Sequence, residues 1–410
     1  MRTVLMTSCL LVSLSVMSYA QSNVSTLNQI GVGQEAAINQ KGSGLNAAIN
    51  QTGDRNAHNY GVVTQSGGPQ TATINQIGGT INSYVSIRQA GEAASDQSSA
   101  NTATVTQSGL ATAWDIWSNT WVHEPYRTKE EALRGPGGVV DVVQSGKSNS
   151  ITISQFGRET VTSPITVEQI GNGNVGDITQ TSIADHFYGR GNNSVYLGQT
   201  GDNNTAALTQ VVGGGDNIYV TQVGNNNSGT VSQSGERLSA TITQTGNDNS
   251  ATVNQTPADG ATTSITQTGD RLSATVTQNS DNVAVIDQRN SGVEGSSVVV
   301  LQNGNRNLTN VIQGTDERSV DNAVANVTQT GDDNSIKLSQ TGYRQGAKIS
   351  QTGNGNRLLG VEGETSFASQ SGTYNTLTLT QNSETSGIGN QAFVNQQGDA
   401  NAATITQRAQ

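Results

Sequence analysis

Residues 240–255 carry one eleven-residue unit twice, closing at Gln244 and again at Gln255. Two places before each glutamine stands an aliphatic residue (Ile242, Val253), and four places before it an alanine (Ala240, Ala251). The alternate places hold Thr241, Thr243, Thr252 and Asn254, all small and polar. Alternation at a period of two over six or seven positions predicts a strand with one dry face. The Thr-Gly-Asn-Asp-Asn between the copies is turn chemistry, because glycine and asparagine take positive φ at little cost. The unit is therefore one strand and one turn, with Asn249, Ala251, Val253 and Gln255 pointing inward.

The same register runs through almost the whole chain. From Gln29 to Gln407 there are 29 such units, and Ile, Val or Leu stands two before the glutamine in 28 of them, Ala368 being the exception. Asparagine stands six before it in 15, as at Asn149, Asn204 and Asn334, and glycine two after it in 21. Further copies close at Gln329 and Gln340. Of the 28 intervals between glutamines, 15 are eleven residues long; those after even-numbered units are eleven long in 11 of 14 cases, those after odd-numbered units in 4 of 14. A lone repeating strand has no reason to alternate in this way. Two strands per coil do, since successive turns then fall on opposite edges of a stack.

The reading is an all-β fold: a β-solenoid of stacked β-strand–turn–β-strand rungs of cross-β type, with loop insertions on one edge. It has about 14–15 two-strand rungs, a rod roughly 70 Å long at ~4.8 Å per level. One aliphatic and one alanine per unit bury too little to offset the ordering of eleven residues. Backbone hydrogen bonds and ladders of identical Asn and Gln amides must supply the rest. A single unit should not fold, whereas a stack should. The terminal units show no cap, with neither proline nor an inward charge, so the ends are expected to template further copies.

The expected organisation is a secretory signal over 1–20, repeats over 21–110, an aromatic-rich insertion over 111–138 and repeats over 139–410. Arg2, the apolar run Val4–Val16 and Ser18-Tyr19-Ala20 carry the signal reading. The single cysteine, Cys9, lies in that leader, so disulfides and thiolate metal sites are not expected in the mature chain. No other apolar run approaches the ~20 residues of a membrane span. A net charge of −11 disfavours nucleic acid.

Composition changes in the inserts. Trp114, Trp117, Trp121 and Tyr126 fall in 111–138, Phe187 and Tyr188 in 182–192, and Glu362 and Glu364 in 357–369. By parity all three leave from the loop-bearing edge, and the tryptophan spacing fits a short amphipathic helix. Two readings stand for the aromatics: a local cluster covering a few rungs, or a patch that binds a glycan or a partner.

On the residues Gln51-Thr52-Gly53-Asp54-Arg55-Asn56, Gln244-Thr245-Gly246-Asn247-Asp248-Asn249-Ser250-Ala251 and Gln329-Thr330-Gly331-Asp332-Asp333-Asn334, the chain resembles the curlin family, the secreted subunits of bacterial curli fibres. The resemblance covers nearly the whole mature chain. It implies a functional amyloid, exported through a dedicated outer-membrane pore of a Gram-negative bacterium, forming extracellular fibres in biofilm matrix and surface adhesion. The implied partners are other copies, other curlin-type subunits or a nucleator, and the secretion machinery. Length, the early start of the repeats and the tryptophan insert depart from the family pattern.

No constellation for catalysis is present, so an enzyme is not expected, nor a cofactor. His58, His123 and His186 are dispersed, without ligand spacing to Asp or Glu. The Gly-Asp-Asn turns lack the fixed Asp and nine-residue period of calcium solenoids. Gly213-Gly214-Gly215 has no helix or lysine after it to hold a phosphate. Outward Thr-x-Thr pairs such as Thr241/Thr243 would suit an ice-binding face, but Arg88, Tyr196 and Lys337 interrupt the lattice. The first function read from the sequence is thus a polymerising structural subunit. The alternative is a monomeric solenoid adhesin displaying aromatic loops.

Overall fold

The computed structural model describes residues 23–31, 34–52, 59–77, 83–91, 100–108, 114–115, 120–121, 138–158, 163–183, 193–290, 294–315, 320–363, 365–383 and 389–408. Within them the chain is a parallel β-solenoid, and none of the described residues is helical. Successive units go alternately to two sheets. The first has fifteen strands, from Val24–Ile30 to Ala402–Arg408. The second runs from Glu35–Gly42 to the paired segments Gln391–Phe393 and Asn395–Gln397. It has fourteen levels, three of them built from two short segments each.

Register follows the glutamines. Gln29 pairs with Gln51 at one end, Gln222 with Gln244 and Gln244 with Gln267 in the middle, and Gln381 with Gln407 at the other end. A one-residue slip would turn every aliphatic outward, which is why one dry face fixes the register so strictly. The extra residue of some twelve-residue intervals is absorbed just past the glutamine, where register shifts appear at Val212/Gly214 and opposite Gln233/Gly235. The inward Ala and aliphatic rows form one buried cluster along the stack, from Ala47 and Ile49 to Ala392 and Val394.

At tight turns the glycine two after the glutamine takes positive φ and stacks on its copy one level away. A Cβ on Gly246 (φ 121°) would collide with the carbonyl oxygen of Gly269. The fully formed turn then places one non-glycine residue in the left-handed region, Asp248 at φ 58° or Arg306 at φ 55°.

Two expectations are corrected. Trp114–Asp115 pairs antiparallel with Thr120–Trp121, so these tryptophans flank a strand pair and not a turn of helix. Aromatic and β-branched residues favour extended backbone, and that preference prevails over the helical spacing. The 357–369 insert does not leave from an edge. Arg357–Leu359 pairs with Ser335 and Ile336, and Ala368–Thr373 continues the same level against Leu338–Tyr343. The excursion 360–367 thus interrupts a strand in mid-course. Leu358 takes the inward place usually held by alanine, and Ala368 the place usually aliphatic, so the missing bulk at Ala368 is made up at Leu358.

Candidate assembly interface

Each sheet is threaded by one glutamine ladder. In the first, Nε2 of every glutamine donates to Oε1 of the next, from Gln29 through Gln51, Gln76 and onward to Gln407, over fourteen bonds of 2.6–3.3 Å. In the second, thirteen bonds of 2.7–3.0 Å run in the same sense from Gln40 to Gln396. At most levels the remaining Nε2 hydrogen crosses to the other sheet. Gln244 donates to the Ser228 carbonyl at 3.1 Å, Gln255 to Ser239 at 3.3 Å, Gln329 to Leu308 at 3.2 Å and Gln340 to Val324 at 3.3 Å.

This crossed bond makes the direction cooperative. Turning one amide over would set donor against donor on one side and acceptor against acceptor on the other, with the crossing carbonyl left bare. Both ladders therefore point one way along the whole rod.

Asparagines add a second set of amides, with the opposite sense, at the corners. Asn204 Nδ2 donates to Asn174 Oδ1 at 3.0 Å and to the Gly224 carbonyl at 2.8 Å, and its Oδ1 accepts from the Asn227 backbone N–H at 3.1 Å. Asn334 makes the same three bonds with Asn307, Gly353 and Asn356. Asn249 ends the first run: it donates to the Gly269 carbonyl at 2.7 Å, and its Oδ1 accepts from the Leu272 N–H at 2.9 Å.

The residues singled out by the repeat, Gln244, Gln255, Asn249, Ala251, Ile242, Val253, Gln329, Gln340 and Asn334, all lie buried between the sheets. The aromatic candidates are placed otherwise. Only the backbones of Trp114 and Trp121 are described, as a strand pair, while Trp117, Tyr126, Phe187 and Tyr188 lie outside the described residues, as do the leader and His58, His123 and His186.

Three features went unread in the sequence. Thr263 and Thr309 occupy inward alanine places, and each hydroxyl donates to a ladder glutamine, at 2.7 Å to Gln278 and 2.8 Å to Gln329. Asp216 stands at a corner where Asn is the rule; it is buried, its Oδ1 accepts from the Leu238 N–H at 2.6 Å, and its Oδ2 has no partner. Burial pushes that carboxyl up to about 7, against the Leu238 bond and with help from Glu236 and Asp259. The third is the stacking of outward tyrosines, Tyr60 on Tyr84 at 5.4 Å and Tyr196 on Tyr219 at 4.6 Å. Each was present as a residue at a known place in the unit.

Both ends of the described stack are bare. At one, the inward Leu27 is 38% exposed, and Ala36 and Ile38 are only partly covered. At the other, Ala403 and Ile405 are equally half-covered. Among the described residues no three His, Cys, Asp or Glu side chains converge as a metal site would require, and no helix is long and apolar enough to cross a membrane.

A search of curated proteins finds no match to the chain. The family model described as curlin associated repeat matches residues 224–256 and 331–359. Each segment holds a Gly-x-x-Asn corner and a buried ladder glutamine, and the second ends on the first part of the interrupted strand, Arg357–Leu359. The chain carries the curlin associated repeat.

Proposed function

We propose that this protein is a curli-type structural subunit that is exported and polymerises end to end into extracellular amyloid fibres serving biofilm matrix and surface adhesion. One observation carries the reading: two one-directional glutamine ladders run the length of the stack and stop at uncovered strand edges. Such an edge offers a complete row of backbone and amide partners to an identical strand. The match to the curlin associated repeat supports a structural role over a catalytic one. Partners in this reading are other copies, related subunits or a nucleator, and an outer-membrane secretion pore. The test is sedimentation and electron microscopy of residues 21–410 over time, with thioflavin fluorescence. Detergent-resistant fibres whose growth is seeded by preformed fibres are expected. A chain that stays monomeric at high concentration would overturn the reading.

A further inference from the structure

The described stack begins and ends on the same sheet. Val24–Ile30 and Ala402–Arg408 both belong to the first sheet, which has fifteen levels against fourteen in the second. The crossed bonds show that the levels interleave. Gln40 donates to the Val24 carbonyl at 3.2 Å, Gln51 to Glu35 at 3.0 Å and Gln407 to Gln391 at 2.8 Å, each reaching back to the strand before it in the chain. Among the described residues no strand precedes Val24–Ile30, and the Gln29 side chain donates only to Gln51. If a second copy were added by translation alone, first sheet on first sheet, the second sheets would stand two levels apart. A slot one strand wide would remain, with Val394 and Ile38 facing it and Gln29 still lacking its crossed partner.

Because the units of both sheets share one pattern, a different junction closes without a gap. Resting on the assembly reading above, we propose that successive copies join with a half-turn about the fibre axis, so that the first sheet of each copy continues the second sheet of the one before. Val24–Ile30 of the incoming copy then adds to Gln391–Gln397, and Glu35–Gly42 adds to Ala402–Arg408. Gln396 meets Gln29 and Gln407 meets Gln40 in the ladder sense already set, Val394 meets Leu27, Ile405 meets Ile38, and Asn390 meets Asn23. The Gln29 Nε2 reaches the Ala402 carbonyl, which stands to Gln407 as Val24 does to Gln29, and so gains a crossed bond that the described stack of a single copy does not offer it. The same junction sets exposed Arg408 beside exposed Lys41, so added salt should speed growth by screening that pair.

The two junctions are separable by cysteine cross-linking, since the chain has no cysteine beyond Cys9. Residues 37, 404 and 26 all point outward three places before a ladder glutamine. In residues 21–410, the pair Ala37→Cys with Thr404→Cys should oxidise to a covalent ladder of subunits within fibres, while Thr26→Cys with Thr404→Cys should stay uncross-linked. The opposite result, with fibres still formed, overturns the half-turn and leaves the assembly reading standing. Absence of any fibre overturns both. Helical reconstruction of unmodified fibres gives an independent reading: two subunits per repeat with inserts on alternate sides supports the half-turn, and inserts all on one side contradicts it.

Discussion

The two halves of the rod carry their longest asparagine runs at opposite corners. Between Asn101 and Asn249 the asparagine run lies where the chain passes from the second sheet to the first, as at Gly246-Asn247-Asp248-Asn249. From Asn282 through Asn307, Asn334, Asn356 and Asn390 it lies where the chain passes from the first sheet to the second. Opposite each run the corner is filled more variously: by Leu272, Ser296, Ala323 and Gln345 and then Asn375 and Asn401 on one side, and by Asn193, Asp216, Leu238 and Ala261 on the other, with Leu238, Ala258 and Ala261 forming a small apolar cluster of their own. The glutamine ladders pass through this exchange unchanged. The corner is thus chosen level by level, according to the turn it must close, while the ladder is common to every level.

That contrast orders the expected effects. Replacing a ladder glutamine should be the most damaging change and should cost the same in both halves. Gln244→Ala and Gln340→Ala each leave two neighbouring amides and one crossing carbonyl unpaired, roughly 3–5 kcal/mol of local stability. Hydrogen exchange at the adjoining levels measures this, and unequal losses would break the comparison. Corner changes should be milder, about 2–3 kcal/mol, and again matched: Asn204→Ala in the first run and Asn334→Ala in the second. Their loss of protection should stay within one level on either side, as expected of a stack held by nearest neighbours.

Asp216 sharpens the comparison through pH. Its carboxyl titrates near 7 in the fold against an ordinary value of 3.8, so the neutral acid is the form the fold prefers. That contribution is complete below the ordinary value and is lost as pH rises through about 7. Between pH 5 and 8 the level around Asn193, Asp216 and Leu238 should lose on the order of a few kcal/mol. Asp216→Asn should abolish the pH dependence and hold at pH 8 the protection seen at pH 5. The smallest effect should come from the exposed ion pair of Arg306 with Asp333, 2.7 Å apart, where Arg306→Ala should leave the local exchange rates unchanged.

Much of this architecture is legible in the residues. The glutamine, aliphatic and alanine places fix which face is dry, and interval parity separates the two sheets, because strand alternation and turn length are local properties. The excursion at 360–367 was not legible as a mid-strand event: its length matches an edge loop, and only the pairing of Leu358 with Ile336 shows where the strand resumes. Nor does the spacing disclose ladder direction. An amide can face either way in a sequence, and its orientation is settled by a crossing carbonyl that belongs to another sheet. The half-rung offset, by contrast, was already contained in the odd number of units once their alternation between sheets was known.

The account rests on the end faces being templates, and blocking both tests it most directly. Leu27→Lys together with Ile405→Lys places a charge on the inward row of each terminal strand while leaving the interior levels untouched. Followed by thioflavin fluorescence and sedimentation beside the unmodified 21–410 chain, the double variant should keep its β-sheet circular dichroism and remain unpolymerised, even with fibre seeds added. Growth at the unmodified rate would show that the rod's ends are not where copies join.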